Sequence, residues 1–168
     1  MPKKLKRYFL KEKEAKALLD KASRELKKDL TKMFDKINLE IVETESDKFY
    51  LINDKPVLFQ TNEKVYPTLM FNEYLTQAPK ATVDMGAIPH VCKGANVMAP
   101  GIRKLEGDFI RGDIMVVVDE KYGKPIALGE TLYDSTEAGN VKQGIMIRTV
   151  HFVGDNIWEV AKKISTKG

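Results

Sequence analysis

The fold of this chain is decided by the stretch Val83-Asp84-Met85-Gly86-Ala87-Ile88-Pro89-His90-Val91-Cys92-Lys93-Gly94-Ala95-Asn96-Val97-Met98-Ala99-Pro100-Gly101-Ile102. This stretch places three glycines and two prolines in a run that otherwise resembles a protein core. No nucleophile, metal-ligand cluster or phosphate-binding loop accounts for that density. The glycines therefore have either a structural role or a role in bringing the backbone close to a ligand.

The spacing within this stretch predicts a short helix or turn over residues 85–92. Asp84 can cap its N-terminus by accepting from free backbone N–H groups, and Pro89 is compatible only with a first helical turn. Gly94 is placed to end the helix in the left-handed conformation, and Pro100-Gly101 indicates a turn with positive φ. If the loop is exposed, its backbone N–H groups could donate to phosphate or to an unpaired base.

Composition limits the possible classes of protein. The chain has 168 residues, enough for one domain or two small ones. It is 43% hydrophobic and 31% charged, and it has no apolar run near the roughly 18 residues of a membrane helix. The N-terminus lacks the apolar region of a secretory signal. Cys92 is the only cysteine, which excludes an intramolecular disulfide, so we expect a cytoplasmic protein without membrane contact.

The positive charge is unevenly distributed along the chain. Residues 1–36 carry 13 Lys and Arg against 6 Asp and Glu, residues 37–80 carry 4 against 7, and residues 81–168 carry 11 against 11. The net charges are +7, −3 and zero. A basic N-terminal end can attract phosphate at long range, but a lysine-rich helix can equally be a solvated surface.

The first half of the chain predicts a helix followed by a small sheet. Apolar residues at steps of three and four predict one amphipathic helix over residues 12–37, docked on a sheet. Short β-rich runs over 39–44, 49–52 and 57–60 predict an antiparallel meander. A short apolar helix then runs from Tyr66 through Leu75. The Gln77-Ala78-Pro79-Lys80 break sets the expected domains at 1–78 and 79–162.

The second half predicts mostly strands. We expect them over 82–83, 96–98, 114–118, 125–133, 144–153 and 157–160, with a hairpin turn at 154–156. The strand at 114–118 is apolar throughout, which indicates cover on both faces, and Val97 and Met98 are expected to pack inside. So many short strands favour a small barrel, since closure removes exposed edges.

Several segments together resemble a PUA domain, an RNA-binding module. They are Asp84-x-Gly86-Ala87-Ile88, Val91-x-x-Gly94-Ala95-Asn96-Val97-Met98-x-Pro100-Gly101, Gly112-Asp113 before an apolar strand, and Ala127-x-Gly129 in its partner. With the upstream Tyr66-Pro67-Thr68-Leu69, the pattern resembles the small proteins of the malignant T-cell-amplified-sequence family and the N-terminal part of ligatin. The resemblance covers residues 39–160 and is most specific in 66–101.

The resemblance implies an α+β protein, with a small N-terminal α/β pre-PUA domain followed by a mostly-β PUA pseudobarrel. It implies a non-catalytic protein without a cofactor that binds structured RNA, either tRNA or small-subunit ribosomal RNA, in translation initiation or recycling. A ribosomal subunit or a separately encoded translation factor is the implied partner. The length and lysine content resemble those of an archaeal member.

The RNA-binding residues follow from the resemblance by position. They are Lys93, Gly94, Ala95 and Asn96 beside the short helix, with Arg103, Lys104 and Arg111 as phosphate contacts on the following loop. Arg148 is a further candidate, as a lone charge in an apolar strand.

The sequence also allows other interpretations of the function. The neutral charge of residues 81–168 favours a protein–protein adaptor in a translation or RNA-modification complex. An RNA-modifying enzyme fits less well, because residues 1–80 contain no catalytic motif. His90 and Cys92 do not predict zinc, which takes about four ligands, and positions i and i+2 of a helix point apart. The spacing of Tyr66, Phe71 and Tyr74 favours core packing over base stacking.

Overall fold

The computed structural model describes residues 5–166 and divides the chain into two units. The first unit holds the residues up to Tyr74 together with those from Glu159 onward, and the second holds Leu75–Trp158. Each unit has its own β-sheet, so the expected α+β class is confirmed. The domain limits 1–78 and 79–162 stay predictions. None of the helices among the described residues is long and apolar enough to cross a membrane.

Five antiparallel strands form the sheet of the first unit, in the order of the chain. They are β1 (Lys6–Phe9), β2 (Leu39–Glu43), β3 (Lys48–Ile52), β4 (Lys55–Thr61) and β5 (Lys64–Pro67). The predicted meander is confirmed and has one more strand at each edge. The turns Asn53-Asp54 and Asn62-Glu63 both have positive φ, the hairpin geometry whose twist matches that of the flanking strands.

Helix α1 (Glu12–Leu26) docks on this sheet, as expected. Its buried face consists of Leu19, Ala22 and Leu26. At the edge of the sheet, the Val65 backbone N–H donates to the Glu25 carboxylate at 3.2 Å. The apolar stripe and this hydrogen bond together set the orientation of the helix on β5.

The predicted single helix over residues 12–37 is wrong in its length. Lys27 takes a left-handed conformation, with φ of 58°, and ends α1 there. The Leu30 backbone N–H then donates to Ser23 Oγ at 3.1 Å, and a short 3₁₀ turn follows at Leu30–Met33. A left-handed residue cannot continue a right-handed helix, so the apolar periodicity persists while the helix does not.

The helix predicted from Tyr66 through Leu75 begins later, as α2 (Asn72–Leu75). The first two residues of that segment finish β5. Thr68 then holds the chain against β4, because its Oγ1 donates to the Pro56 carbonyl at 2.7 Å. The chain therefore leaves the sheet only after Thr68, and the helix starts after that point.

Six strands form the sheet of the second unit, in the order β7-β11-β10-β9-β6-β8. The elements along the chain are β6 (Lys80–Val83), α3 (Ile88–Val91), β7 (Val97–Met98), β8 (Ile102–Glu106), β9 (Ile114–Asp119), β10 (Pro125–Thr131), α4 (Ser135–Ala138) and β11 (Ile145–Phe152). Only β6 and β9 run parallel. Every residue of β9 is buried, which confirms the expectation of a strand covered on both faces.

The two strands at the ends of this order are neighbours in the chain. A 3₁₀ turn of three residues, Ala99–Gly101, joins β7 to β8, and so short a link keeps the strand ends within about 14 Å of each other. The sheet must therefore curl until its two edges approach, which produces the predicted pseudobarrel. Inside it lies a core that includes Val83, Met115 and Ile147, each fully buried.

The C-terminal strand predicted over 157–160 is wrong. The segment is helix α5 (Asn156–Thr166), so Trp158 lies on a helix. Asp155 caps this helix, because its Oδ1 accepts from the Trp158 backbone N–H at 2.7 Å. The same carboxylate lies 2.9 Å from Nδ1 of His151, whose side chain is fully buried. The expected hairpin turn is thus a helix start.

Gly129 marks the closest approach between β10 and β11. A Cβ at this position would overlap the carbonyl oxygen of Arg148 and lie 2.8 Å from Cγ2 of Ile147. The pairing register of the two strands shifts at the same point. Gly129 is therefore required by the spacing of the strands, and no larger residue fits there without moving the backbone.

We predict that Gly129→Ala lowers the free energy of unfolding by about 1–3 kcal/mol, the usual cost of overpacking. Urea unfolding at neutral pH would measure the change. Gly139→Ala is the matched control: its φ is −63°, and a Cβ there meets nothing within 4 Å. The control should be neutral or stabilised by up to about 1 kcal/mol, and an equal loss in both variants would contradict the prediction.

Candidate nucleic-acid interface

The N-terminal side of α3 is built as expected. Asp84 Oδ1 accepts from the Ala87 backbone N–H at 2.8 Å, so it caps the turn that leads into the helix. Pro89 lies in the first turn of α3, where its missing N–H removes no helical hydrogen bond. The cap and the proline together fix where the short helix begins.

Gly101 departs from the prediction of a positive φ. It lies in the 3₁₀ turn between β7 and β8 and is not among the residues of positive φ. Its carbonyl accepts from the Asp84 backbone N–H at 2.9 Å, and a Cβ there would lie 3.3 Å from the Cβ of Ala87. A side chain at this position would therefore crowd the turn before α3 by a few tenths of an ångström.

Residues 93–96 form a tight turn after α3. Gly94 has a φ of +95°, which confirms the expected left-handed stop. The backbone N–H groups of Lys93 and Ala95 both donate to the His90 carbonyl at 3.1 Å, and that of Gly94 donates to the Val91 carbonyl at 3.0 Å. These three N–H groups are already used within the turn, contrary to the expectation that they are available to phosphate. The turn instead presents the exposed Lys93 side chain and the nearly bare backbone of Gly94 and Ala95.

The turn is clamped to β11 by two hydrogen bonds. Asn96 Oδ1 accepts from the Thr149 backbone N–H at 3.1 Å, and Thr149 Oγ1 donates to the Ala95 carbonyl at 2.9 Å. A side-chain amide with its oxygen occupied still has its two N–H donors. Asn96 therefore has a structural role through its oxygen and can recognise a ligand only as a donor.

Arg148 lies beside this clamp on β11. It forms an ion pair with Glu130 of β10; the Arg148 side chain is 62% exposed, while that of Glu130 is 7% exposed. The buried carboxylate holds the guanidinium at its terminal Nη2, while the Arg148 side chain as a whole stays largely exposed. We call Lys93–Asn96 with Arg148 and Thr149 the loop surface.

The three cations predicted on the following loop are placed differently. Arg103 and Lys104 lie in β8, which pairs with β6. Arg103 forms ion pairs with Asp84 at 3.8 Å and Glu120 at 3.4 Å. These pairs show that Arg103 would have to exchange carboxylate partners before it could bind phosphate.

Lys104 also has an acidic partner. Its Nζ lies 2.6 Å from Glu106 Oε1, and this contact holds the pKa of the Glu106 carboxyl below its ordinary value. Arg111 lies in a separate exposed turn, where its backbone N–H donates to Asp134 Oδ1 at 2.8 Å. Arg111 therefore lies outside β8, whereas Arg103 and Lys104 lie within it. Nearby carboxylates partly neutralise the charges of Arg103 and Lys104.

The part of the chain that the structure describes supports neither a metal site nor a nucleophilic cysteine. Among residues 5–166 no three His, Cys, Asp or Glu side chains are grouped as metal ligands would be. Cys92 is half-buried, and burial raises the pKa of its thiol, which opposes nucleophilic reactivity at neutral pH. Tyr66, Phe71 and Tyr74 are all buried, so the expectation that they pack in the core is confirmed.

The N-terminal charge does not lie on helix α1. Residues 12–26 carry four Lys and Arg against four Asp and Glu, so the helix as the structure defines it is neutral. The excess of +7 comes from its flanks, with +5 in residues 1–11 and +2 in residues 27–36. Of these charges, Arg7 is paired with Glu40 through hydrogen bonds of 2.9 and 3.0 Å.

Two known families match the chain, one for each half. Residues 79–153 match the PUA domain, and residues 6–74 match a domain of unknown function, DUF1947. An uncharacterized protein of Methanocaldococcus jannaschii is 35% identical, over 91% of this chain and 95% of that protein. Translation machinery-associated protein 20 of Eremothecium gossypii is 33% identical, over 73% of this chain and 72% of that protein.

Two further comparisons bear on the resemblance and the fold. The malignant T-cell-amplified sequence 1 homolog of Dictyostelium discoideum is 32% identical, over 64% of this chain and 63% of that protein. The crystal structure of a PUA domain protein from Aeropyrum pernix, solved as a tartrate complex, aligns with a TM-score of 0.83 at 28% identity. It covers 96% of this chain and 94% of that one. The resemblance read from residues 66–101 is confirmed.

We predict that Asn96→Ala loosens the loop surface, because it removes the acceptor of the Thr149 N–H. Loss of one hydrogen bond of about 1 kcal/mol should speed hydrogen exchange at the Thr149 amide roughly fivefold. Exchange followed by NMR would measure this. Asn96→Asp keeps an oxygen acceptor and serves as the control. Equal protection of Thr149 in Asn96→Ala and in the unsubstituted protein would rule out the clamp.

Proposed function

Because this chain belongs to the family of proteins that join a DUF1947 region to a PUA domain, we propose that it binds structured RNA in the translation machinery. The observation that carries the proposal is the loop surface, in which an exposed turn that includes Lys93 is fixed to β11 by two hydrogen bonds, next in the chain to the ion-paired Arg148. A rigid site binds at a lower entropic cost than a flexible one.

The groups of the loop surface suit an RNA backbone. Lys93 and Arg148 supply phosphate contacts, and Gly94 and Ala95 leave room for a ribose to approach the main chain. Asn96 contributes its amide N–H groups, since its oxygen is bound to β11. A side chain larger than alanine in the turn would keep the nucleic acid away from these donors.

We further propose that the RNA is a tRNA or the small-subunit ribosomal RNA, bound during initiation or recycling. The names of the matched relatives, translation machinery-associated protein 20 and malignant T-cell-amplified sequence 1 homolog, support a place in translation. On this proposal the protein acts in the cytoplasm without catalysis, beside a ribosomal subunit or a separately encoded translation factor. The Methanocaldococcus and Aeropyrum relatives support an archaeal type.

A second candidate function is a protein–protein adaptor. The ion pairs of Arg103 and Lys104 favour it, because cations already matched by carboxylates contribute less to RNA attraction. Residues 81–168 have no net charge, whereas dedicated RNA-binding surfaces are commonly basic. An adaptor would bind its partner after nuclease treatment and would be insensitive to changes in the loop surface.

We predict that labelled tRNA or a small-subunit RNA fragment binds with an affinity that falls steeply as salt rises, since binding releases counterions. Lys93→Ala should weaken binding and lower the slope of log affinity against log salt by about 1. Fluorescence anisotropy across a salt series would measure both quantities.

Lys124→Ala is the matched control, because Lys124 is an exposed lysine of the same unit that lies in the turn after β9. It should leave the slope unchanged. An unchanged slope in Lys93→Ala, with RNA still bound, would remove Lys93 from the interface. An absence of salt-dependent RNA binding by the unsubstituted protein would instead favour the adaptor.

A further inference from the structure

A groove lies beside the edge strand β8 in the second unit, and none of the residues that line it belongs to the loop surface. Strand β8 ends the strand order, so its outer edge carries no strand among the described residues. Residues of β8 form one wall of the groove, and the end of α4 with the following loop forms the other. The volume of this open groove is about 530 Å³, within the roughly 300–1,000 Å³ of ligand pockets.

The groove combines an apolar floor with a cationic rim. Buried or half-buried apolar side chains form the floor, among them Ile102, Val141 and Met146. Arg103, Lys104 and Lys142 also line it, and no Asp or Glu is among the lining residues. Because carboxylates already pair with Arg103 and Lys104, Lys142 is the lining cation best placed to attract an anion that has an apolar body.

Of the three cations that line the groove, Lys142 is held most weakly. Its Nζ donates to the Gly139 carbonyl at 3.3 Å in an exposed position. A long hydrogen bond to a neutral acceptor in water is easily exchanged for a charge-assisted bond to phosphate. Arg103 and Lys104, by contrast, would first have to leave their carboxylates.

We propose that this groove binds one unpaired nucleotide of the RNA, with its base on the apolar floor and its phosphate against Lys142. The inference rests on the proposed RNA-binding function and gives it a second contact site. The nucleotide must be unpaired, because a base within a helix is stacked and cannot enter a groove. The outer edge of β8, which pairs with no strand of the described residues, adds main-chain donors and acceptors that can pair with a base edge.

Gly139 offers a way to fill the groove without disturbing the fold. It lines the groove, its φ of −63° suits any residue, and a Cβ there meets no heavy atom within 4 Å. A phenylalanine at this position narrows the groove, whereas an alanine is too small to do so. Gly139→Phe and Gly139→Ala therefore form a matched pair.

The experiment compares two RNA probes, a blunt hairpin and the same hairpin with three unpaired nucleotides added. The unsubstituted protein should bind the extended hairpin more tightly than the blunt one. Lys142→Ala and Gly139→Phe should each weaken binding of the extended hairpin by roughly fivefold to tenfold and leave the blunt hairpin unchanged. Gly139→Ala and Lys124→Ala should bind both probes as the unsubstituted protein does.

The outcomes separate the groove from the general function. Equal affinities of the variants and the unsubstituted protein for the extended hairpin would overturn the nucleotide site while leaving RNA binding in place. If the groove variants still bind both RNAs but no longer bind an acidic, extended peptide, the groove is a peptide site. That result would also overturn the nucleotide site. Failure of the unsubstituted protein to bind either hairpin would overturn the proposed function itself. Melting temperatures within a few degrees of that of the unsubstituted protein establish that the variants fold. If Gly139→Phe does not fold, the result for Lys142→Ala decides the test.

Discussion

The close contact of β10 and β11 at Gly129 sets the register on which the candidate interface depends. With no Cβ at this position, the Arg148 carbonyl lies against the backbone of Gly129. That register places Arg148 opposite Glu130 and Thr149 opposite Gly129. Arg148 can then pair with a buried carboxylate, and Thr149 can clamp the turn after α3. A contact inside the sheet thus determines which groups reach the surface.

The predictions from the sequence were correct for those elements whose residues are compatible with a single local structure. Asp84, Pro89 and Gly94 each favour a single position around a short helix, and all three were placed correctly. The apolar run of β9 likewise fits only a strand covered on both faces. The errors fall where the local pattern fits two structures equally well.

Edge strands and helix ends are such places. All five residues of the edge strand β8 are exposed or half-buried, so no apolar run marks the strand and the sequence predicts a loop there. Asp155 with its neighbours suits both a hairpin turn and a helix cap. The buried Ala161 and Ile164, at helical spacing, decide for the helix. At Lys27 a left-handed residue ended α1 although the apolar spacing continued.

In the candidate site, likewise, the position of a residue can be predicted more readily than whether its polar groups are available to a ligand. A motif can indicate which residues lie near the surface, but not which of their groups are already bonded. The N–H groups of the turn after α3, the Asn96 oxygen and the Arg103 guanidinium all have partners within the protein. The bonds of Asn96 and Arg103 join segments far apart in the chain, so no local pattern could reveal them. Those of the turn's N–H groups are local and arise from the way α3 ends.

Net charge and contact geometry therefore contribute to RNA affinity in different ways. The second half of the chain is neutral, and helix α1 is neutral as well, so long-range attraction has to come from the short basic segments that flank that helix. Once RNA is near, cations such as Arg148 act over a few ångströms, where a fixed orientation matters more than net charge. A neutral domain with rigidly held cations attracts nonspecific polyanions weakly, yet it can bind a matching shape well. The ion pairs that reduce general attraction would on this view favour selectivity, because only an RNA that replaces each carboxylate with a well-placed phosphate recovers the energy of the broken pair.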